Sequence, residues 1–235
     1  MERISRPKLI IEFNGLPGAG KSTISTELEA LFTKSGISSI RSYYSKESQK
    51  DNKSLFLSLR WCQVLIRLFF LSMTVHPRKD RWPGIIAFVK YLRMYTDFLM
   101  SSCDYILITD EGLVQAITSF FHIDTINSHK LMARFIGYIK KADLEFIRVD
   151  CQNDINLVYS RIKGRGTTGA RLDIMDGQDL LDALEIQSNN LMTIRNCFSE
   201  SLHQKVIQLD TNISPSVNAN YVFSQASRLI NRDEV

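Results

Sequence analysis

The sequence predicts an α/β fold in which helices cover both faces of a mostly parallel sheet. Short apolar runs of strand length alternate with longer segments of helical periodicity along the chain. The first apolar run leads directly into a glycine-rich turn and then into a helical pattern. With 235 residues, 44% of them hydrophobic, the chain is long enough for one large domain with a substantial core.

The first strand and the turn after it carry the clearest functional signal. Leu9 to Phe13 is a run of β-favouring composition, and residues 15–22 read GLPGAGKS. This matches G-x-x-x-x-G-K-[ST], the phosphate-binding P-loop, whose glycines permit positive φ and let backbone N–H groups approach a phosphate. We expect Lys21 to reach the β- and γ-phosphates and Ser22 to ligate Mg²⁺. The expected nucleotide-binding residues are Gly15, Leu16, Pro17, Gly18, Ala19, Gly20, Lys21, Ser22 and Thr23.

The context of the motif favours this interpretation over a chance glycine-rich turn. A strand precedes it, and the next segment has helical spacing that ends at Gly36. The dipole of that helix would place a partial positive charge beneath the anion. Residues 37–43 are expected to form the second strand.

Residues 45–101 are expected to form a helical region on the acceptor side of the site. A polar loop precedes the most hydrophobic segment, 55–75, which Arg60 and Arg67 interrupt. Each central arginine would cost about 2.5–3.5 kcal/mol in a membrane, so a soluble helix is favoured over a transmembrane one. A second helical pattern, 85–101, carries Arg93 on its polar face. Arg60, Arg67 and Arg93 are candidates for acceptor binding. For the 55–75 helix, a polar stripe that touches water explains the seven-residue spacing of Arg60 and Arg67, and docking on a membrane surface is a third interpretation. For Arg93 the alternative is a solvated helix face.

The third strand, Asp104 to Asp110, is expected to deliver acidic groups to the site. It is apolar and ends in Asp110-Glu111-Gly112. In P-loop enzymes an acid at the carboxyl end of such a strand holds the Mg²⁺, and ligands of open α/β sheets bind at this edge. We therefore expect Asp110 to contact the metal and assign Glu111 a catalytic role beside it. A helix cap at Asp110 is the structural alternative.

A basic, glycine-rich segment follows the fourth strand, 144–150, and a helix that Asp154 is expected to cap. Residues 161–171 read RIKGRGTTGAR, so four cations and three glycines occur in eleven residues. We expect a lid over about 161–173, in which Arg161, Arg165 and Arg171 close over the triphosphate and neutralise charge on the transferring group. A solvated surface loop is the alternative.

The remaining elements complete the alternation of strands and helices. Apolar residues at helical spacing predict a long helix over 180–198, and 205–210 reads as a fifth strand. Ser214 and Pro215 are typical of an N-cap and a first turn, so a final helix is expected through Ile230. We treat residues 1–235 as a single domain.

Composition narrows the class of protein. The net charge of +4 and pI near 8.8 are below what a nucleic-acid binder would need, so no nucleic acid polymer is expected as partner. The cysteines at 62, 103, 151 and 197 form no C-x-x-C pair and suit a reducing, cytoplasmic setting. The N-terminus lacks the apolar core of a signal peptide.

Together these motifs resemble the thymidylate-kinase-like branch of the nucleoside and nucleotide kinases. The similarity covers the P-loop at 15–22, Asp110, the fourth strand, and the R-x-K-G-R segment at 161–165. It implies a three-layer P-loop NTPase fold with a five-stranded parallel sheet of order 2-3-1-4-5. It also implies that adenine lies near the lid helix and the loop at 210–214.

The acceptor half of the chain departs from that family. Thymidylate kinases carry Asp-Arg where this chain has Asp110-Glu111, and an Arg-Glu-Pro type of turn where it has RSYY at 41–44. Their central arginine has no clear counterpart, although Arg93 lies nearby in the sequence. The resemblance is therefore strongest for the half that holds the phosphate donor.

The sequence thus predicts ATP- and Mg²⁺-dependent phosphoryl transfer to a small-molecule acceptor, with Asp110 or Glu111 as base if the acceptor is a hydroxyl. If the acceptor is a phosphate, no base is needed. Two other classes stay open: a nucleotide-dependent regulator that hydrolyses slowly, and an ATP-binding module without turnover. A homodimer through the 55–101 helices is a further expectation.

Overall fold

The computed structural model describes residues 8–42, 91, 94, 95, 98, 106–112, 144–165, 171–201 and 205–230. Five parallel strands form one sheet of order β2-β3-β1-β4-β5, which confirms the predicted topology and the α/β class. The strands are β1 (Lys8–Asn14), β2 (Ser39–Ser42), β3 (Ile106–Thr109), β4 (Leu144–Gln152) and β5 (Lys205–Asp210). The helices are α1 (Lys21–Lys34), α2 (Ile155–Gly164), α3 (Gly177–Ser201) and α4 (Pro215–Ile230), with a 3₁₀ turn at Arg171–Ile174.

β1 lies at the centre of the sheet, and its alternating side chains serve two different faces. Leu9, Ile11 and Phe13 join the main hydrophobic core, which α1 and α4 cover. The opposite face carries Ile10, Glu12 and Asn14, all fully buried. A second apolar cluster packs α2 and α3 together and includes Leu16, Val158, Ile162, Leu180 and Leu184. Because Leu16 belongs to the turn after β1, this cluster fixes that turn to both helices.

Local signals set the helix boundaries much as the sequence indicates. Asp154 caps α2, with its side chain accepting a hydrogen bond from the Asn156 N–H at 2.7 Å. The Ser214 Oγ accepts from the Val217 N–H at 3.4 Å at the start of α4. The ends of the strands differ by a few residues from their predicted ranges: β2 begins at Ser39 rather than at residue 37, β3 ends at Thr109 rather than at Asp110, and β4 extends to Gln152.

Much of the expected acceptor-side region, 45–101, lies outside the described residues. Residues 91, 94, 95 and 98 are helical, in agreement with the predicted 85–101 helix. Tyr95 stacks on Phe146 of β4 with ring centroids 6.4 Å apart, so this helical face packs on the sheet. The described helices include none that is long and apolar enough to cross a membrane.

Candidate active site

The loop between β1 and α1 has the shape of a phosphate-binding loop. Gly18 and Gly20 have φ of 80° and 82°, and α1 begins at Lys21 directly after them. Gly15 does not adopt positive φ, which corrects that part of the expectation. It is needed for another reason, because a Cβ at Gly15 would lie 3.0 Å from both the Cβ and the carbonyl oxygen of Cys151. The loop therefore sits directly on the end of β4.

Lys21 is buried inside this loop. Its Nζ donates hydrogen bonds to the carbonyl oxygens of Gly15, at 2.8 Å, and Leu16, at 2.9 Å. Burial lowers the pKa of Lys21, while the neighbouring Cys151, Glu111 and Asp110 raise it. The ammonium group thus lies within the electrostatic reach of the acids that follow β3.

Two acidic residues and one tyrosine form the wall that extends from β3. Asp110 is buried and Glu111 is exposed, and both border the same cavity as the loop. The Tyr91 hydroxyl donates to the Glu111 Oε2 at 3.2 Å, and the Thr109 Oγ1 donates to the Glu111 carbonyl oxygen at 2.6 Å. These contacts orient the turn after β3. The alternative of a helix cap at Asp110 involves residues from 113 onward, which lie outside the described part of the chain.

The basic segment contributes two arginines to the opposite wall. Arg161 donates to the carbonyl oxygen of Thr211 at 3.2 Å, and its Nη1 lies 3.5 Å from the Asn153 Oδ1. Arg165 pairs with Asp173 at 2.5 Å. The backbone of Arg171 begins the 3₁₀ turn. Its side chain and residues 166–170 lie outside the described residues.

The loop between β5 and α4 closes the remaining side. Residues 211–215 border the cavity, next to Arg161. The Asn218 Nδ2 donates to the carbonyl oxygens of Asp210, at 2.9 Å, and Ile213, at 3.4 Å. These bonds hold the segment in which the family resemblance places adenine.

The walls described above enclose one cavity of about 980 Å³. From the predicted site it includes residues 17–23 of the loop, Asp110, Glu111, Arg161 and Arg165. Gly15 and Leu16 of the loop do not border the cavity, and they hold Lys21 through their carbonyl groups. The three candidate acceptor residues, Arg60, Arg67 and Arg93, lie outside the described residues.

The oxygen donors at this cavity suit Mg²⁺. In phosphate-transfer sites Mg²⁺ takes one or two protein ligands and fills its other positions with waters and substrate phosphates. The Ser22 hydroxyl and the Asp110 carboxylate both border the cavity and provide that number. Within the described ranges, no three His, Cys, Asp or Glu side chains form a group able to hold a metal by themselves.

A buried ionic network behind the loop was not predicted from sequence. Asp150 lies between Arg148, at 3.1 Å, and Arg195 of α3, at 3.2 Å. Arg195 also donates to the carbonyl oxygen of Asn14 at 3.2 Å, directly before the loop begins. Burial raises the pKa of Asp150, although Arg195 and Arg148 oppose the shift. The sequence signal, charged residues inside an otherwise apolar fourth strand, was visible but does not reveal the partner on α3.

Comparison with known proteins adds little to this geometry. No protein-family model matches the chain, and no curated protein matches it. The APS kinase CysC of Mycobacterium tuberculosis, solved in complex with AMPPNP and APS, is 15% identical with a TM-score of 0.44, over 94% of this chain and 98% of that one. The protein APE1195 is 17% identical with a TM-score of 0.46, over 97% and 98% of the two chains. Similarity at this level carries no argument about function.

Proposed function

We propose that this protein transfers the γ-phosphoryl group of MgATP to a small-molecule acceptor. The observation that carries the proposal is the composition of one cavity. It joins the N-terminus of α1 with Lys21 and Ser22, the acid Asp110, and the cations Arg161 and Arg165. Phosphoryl transfer depends mainly on positioning and on stabilising negative charge, and these groups supply both.

On the donor side, the loop and its helix would hold the triphosphate. The turn at Gly18 and Gly20 and the first residues of α1 would present backbone N–H groups to the phosphates, and the helix dipole favours an anion at this point. Lys21 would exchange its bonds to the Gly15 and Leu16 carbonyls for the β- and γ-phosphate oxygens. Ser22 and Asp110 would hold Mg²⁺, which when bound offsets the negative charge of the β- and γ-phosphates. The loop at 210–214, most of which borders the cavity, would hold the adenine, as the family resemblance implies.

On the acceptor side, we assign the base to Glu111 when the acceptor is a hydroxyl. Asp110 is buried and committed to the metal, whereas Glu111 is exposed and is oriented by the Tyr91 hydroxyl. The acceptor oxygen would attack the γ-phosphorus, and its proton would pass to the Glu111 carboxylate. The bond from that phosphorus to the β–γ bridging oxygen breaks, and ADP leaves with the electron pair. Arg161 and Arg165 would stabilise the charge on the transferring group.

A screen of acceptors tests this proposal most directly. Purified protein with ATP and Mg²⁺ is incubated with nucleosides, nucleotides, sugars and aminoglycosides, and ADP release is measured for each. We expect one class of acceptor to stimulate ADP release and to gain a phosphate by mass spectrometry, while Lys21→Met abolishes the stimulation. Slow hydrolysis that no acceptor stimulates would favour the nucleotide-dependent regulator instead. ATP binding without any turnover would favour the non-catalytic module.

A further inference from the structure

The Arg165–Asp173 ion pair joins an exposed cation to a buried anion at the wall of the cavity. The Arg165 Nη2 lies 2.5 Å from the Asp173 Oδ1. The Arg165 side chain is 37% exposed and borders the cavity, whereas the Asp173 side chain is 0% exposed. The Asp173 carboxylate is therefore enclosed by the protein, whereas part of the Arg165 guanidinium faces the cavity.

Because its side chain is buried, Asp173 can hold the Arg165 guanidinium in one position. A carboxylate out of water needs a charged partner, because an unpaired buried charge is strongly destabilising. Arg165 supplies that charge through a short, charge-assisted hydrogen bond. An unanchored arginine at the end of a helix would sample many rotamers, and its pairing with a buried carboxylate limits where the guanidinium can lie.

The surroundings of Asp173 link it to the phosphate-binding loop. Its neighbour Leu172, and Met175 shortly after, pack on the apolar cluster that contains Leu16, Val158 and Ile162. Leu16 belongs to the loop, and Gly18 approaches the Ile162 side chain so closely that an added Cβ would lie 3.3 Å from it. Asp173 is thus held by the same packing that holds the loop.

We infer that Asp173 is a positioning residue that holds the Arg165 guanidinium beside the position that the γ-phosphate of bound ATP would occupy. The inference rests on the proposed function, since it names the triphosphate as the anion that Arg165 meets. Asp173 does not touch the ligand; it acts by holding Arg165 in place.

A second ion pair in the same segment provides a matched control. Lys163 of α2 pairs with Asp176 at 2.9 Å and donates to the Met175 carbonyl oxygen at 2.7 Å. This pair also connects the end of α2 to the segment before α3. It differs in burial, because the Asp176 side chain is 84% exposed, and neither partner borders the cavity. Changing Asp176 to Asn removes one carboxylate charge from the same region without affecting Arg165.

The test measures release of a fluorescent ATP analogue by stopped flow, which needs no acceptor, together with kcat and KM once an acceptor is known. We expect Asp173→Asn to release the analogue at least tenfold faster, and Arg165→Gln to do the same. The double variant should release the analogue no faster than Arg165→Gln alone, because Asp173 acts on the ligand only through Arg165. Asp176→Asn should stay within twofold of the parent. In turnover, Asp173→Asn should lower kcat by more than it raises KM for ATP.

The outcomes separate this inference from the proposed function. If the parent protein does not bind the analogue, the proposed function is wrong. If the parent binds it but Asp173→Asn releases it at the parent rate, or the two single effects add in the double variant, only the inference is wrong. Should Asp173→Asn fail to fold, Asp173→Glu decides, since it keeps the charge but displaces the guanidinium. Release at least threefold faster supports the inference, and release at the parent rate overturns it.

Discussion

The carboxyl group of Glu12 fills the space that a side chain at Gly112 would occupy. Glu12 is fully buried in β1, and the Tyr95 hydroxyl donates to its Oε2 at 2.6 Å. Gly112 comes two residues after Asp110, so Glu12 of the central strand packs directly against the turn that carries Asp110. Placement of Asp110 beside the loop thus depends on the absence of a side chain at residue 112.

Gly112→Ala should therefore damage both stability and activity. The added methyl group meets a buried carboxylate that is itself hydrogen-bonded, so we expect a loss of about 1–3 kcal/mol in the free energy of unfolding. Displacement of Asp110 should also raise the Mg²⁺ concentration needed for half-maximal turnover. Urea unfolding and a Mg²⁺ titration measure the two effects. Gly164→Ala is the matched control, because a Cβ there meets nothing within 4 Å and the residue ends a helix.

Lys21→Met should remove most turnover while the fold survives. Loss of a preorganised donor at developing charge costs roughly two to three orders of magnitude in kcat. Burial already disfavours the charged lysine, so an apolar side chain of similar length should be tolerated. Lys34→Met, at the opposite end of α1, serves as control. Turnover by Lys21→Met at the parent rate would refute the donor-side assignment.

Asp110→Asn should weaken the metal site more than the nucleotide site. The amide keeps the size of the side chain but removes the negative charge that attracts Mg²⁺. We expect the Mg²⁺ concentration for half-maximal activity to rise by about 10–100-fold, with a smaller change in affinity for metal-free ATP. Isothermal titration with and without Mg²⁺ measures the difference. Asp154→Asn, which retains the capping acceptor of α2, is the control.

Cys151 should make the protein less stable at alkaline pH. Burial raises the pKa of this thiol from 9.0 to about 11, although Lys21 and Arg195 oppose the shift. Between these values the folded protein keeps a proton that the unfolded chain loses, so the free energy of unfolding falls as the pH rises. The contribution should reach about 1.4 kcal/mol per pH unit.

Cys151→Ala provides the comparison for that pH dependence. Other groups titrate in the same range, so the prediction concerns the difference between parent and variant in urea unfolding at pH 8 to 10. We expect the parent to lose more stability than Cys151→Ala over this range. Equal slopes for the two proteins would show that the thiol does not ionise on unfolding as expected.

The strand, turn and helix at residues 8–34 were predictable because their signals are local. The loop motif, the strand before it and the helix after it are contiguous, and each restricts the backbone in a known way. The cap at Asp154 and the Ser214-Pro215 start of α4 are equally short-range. The strand order followed from the resemblance that these motifs support, and the sheet confirms it.

The other contacts join elements far apart in sequence, and no local pattern specifies them. Tyr95 and Glu12 are 83 residues apart, and Arg195 and Asn14 are 181 apart. Glu12 stood inside a run that looked apolar, and only the fold shows that its carboxyl group lies under the acidic turn. The pairing of Arg165 with Asp173 is shorter in range, but acids are frequent beside basic segments, so burial of the Asp173 side chain was the missing information.

The continuity of α3 has a mechanical consequence. One unbroken helix packs Leu184 against the cluster that includes Leu16, and eleven residues later holds the carbonyl oxygen of Asn14 with Arg195. At 1.5 Å per residue, Leu184 and Arg195 lie about 16 Å apart along the axis of α3. The loop is therefore supported on both sides of Gly15 by the fold itself. The proposed ligand would meet a loop that is already ordered, and its binding free energy would not be reduced by the cost of ordering it.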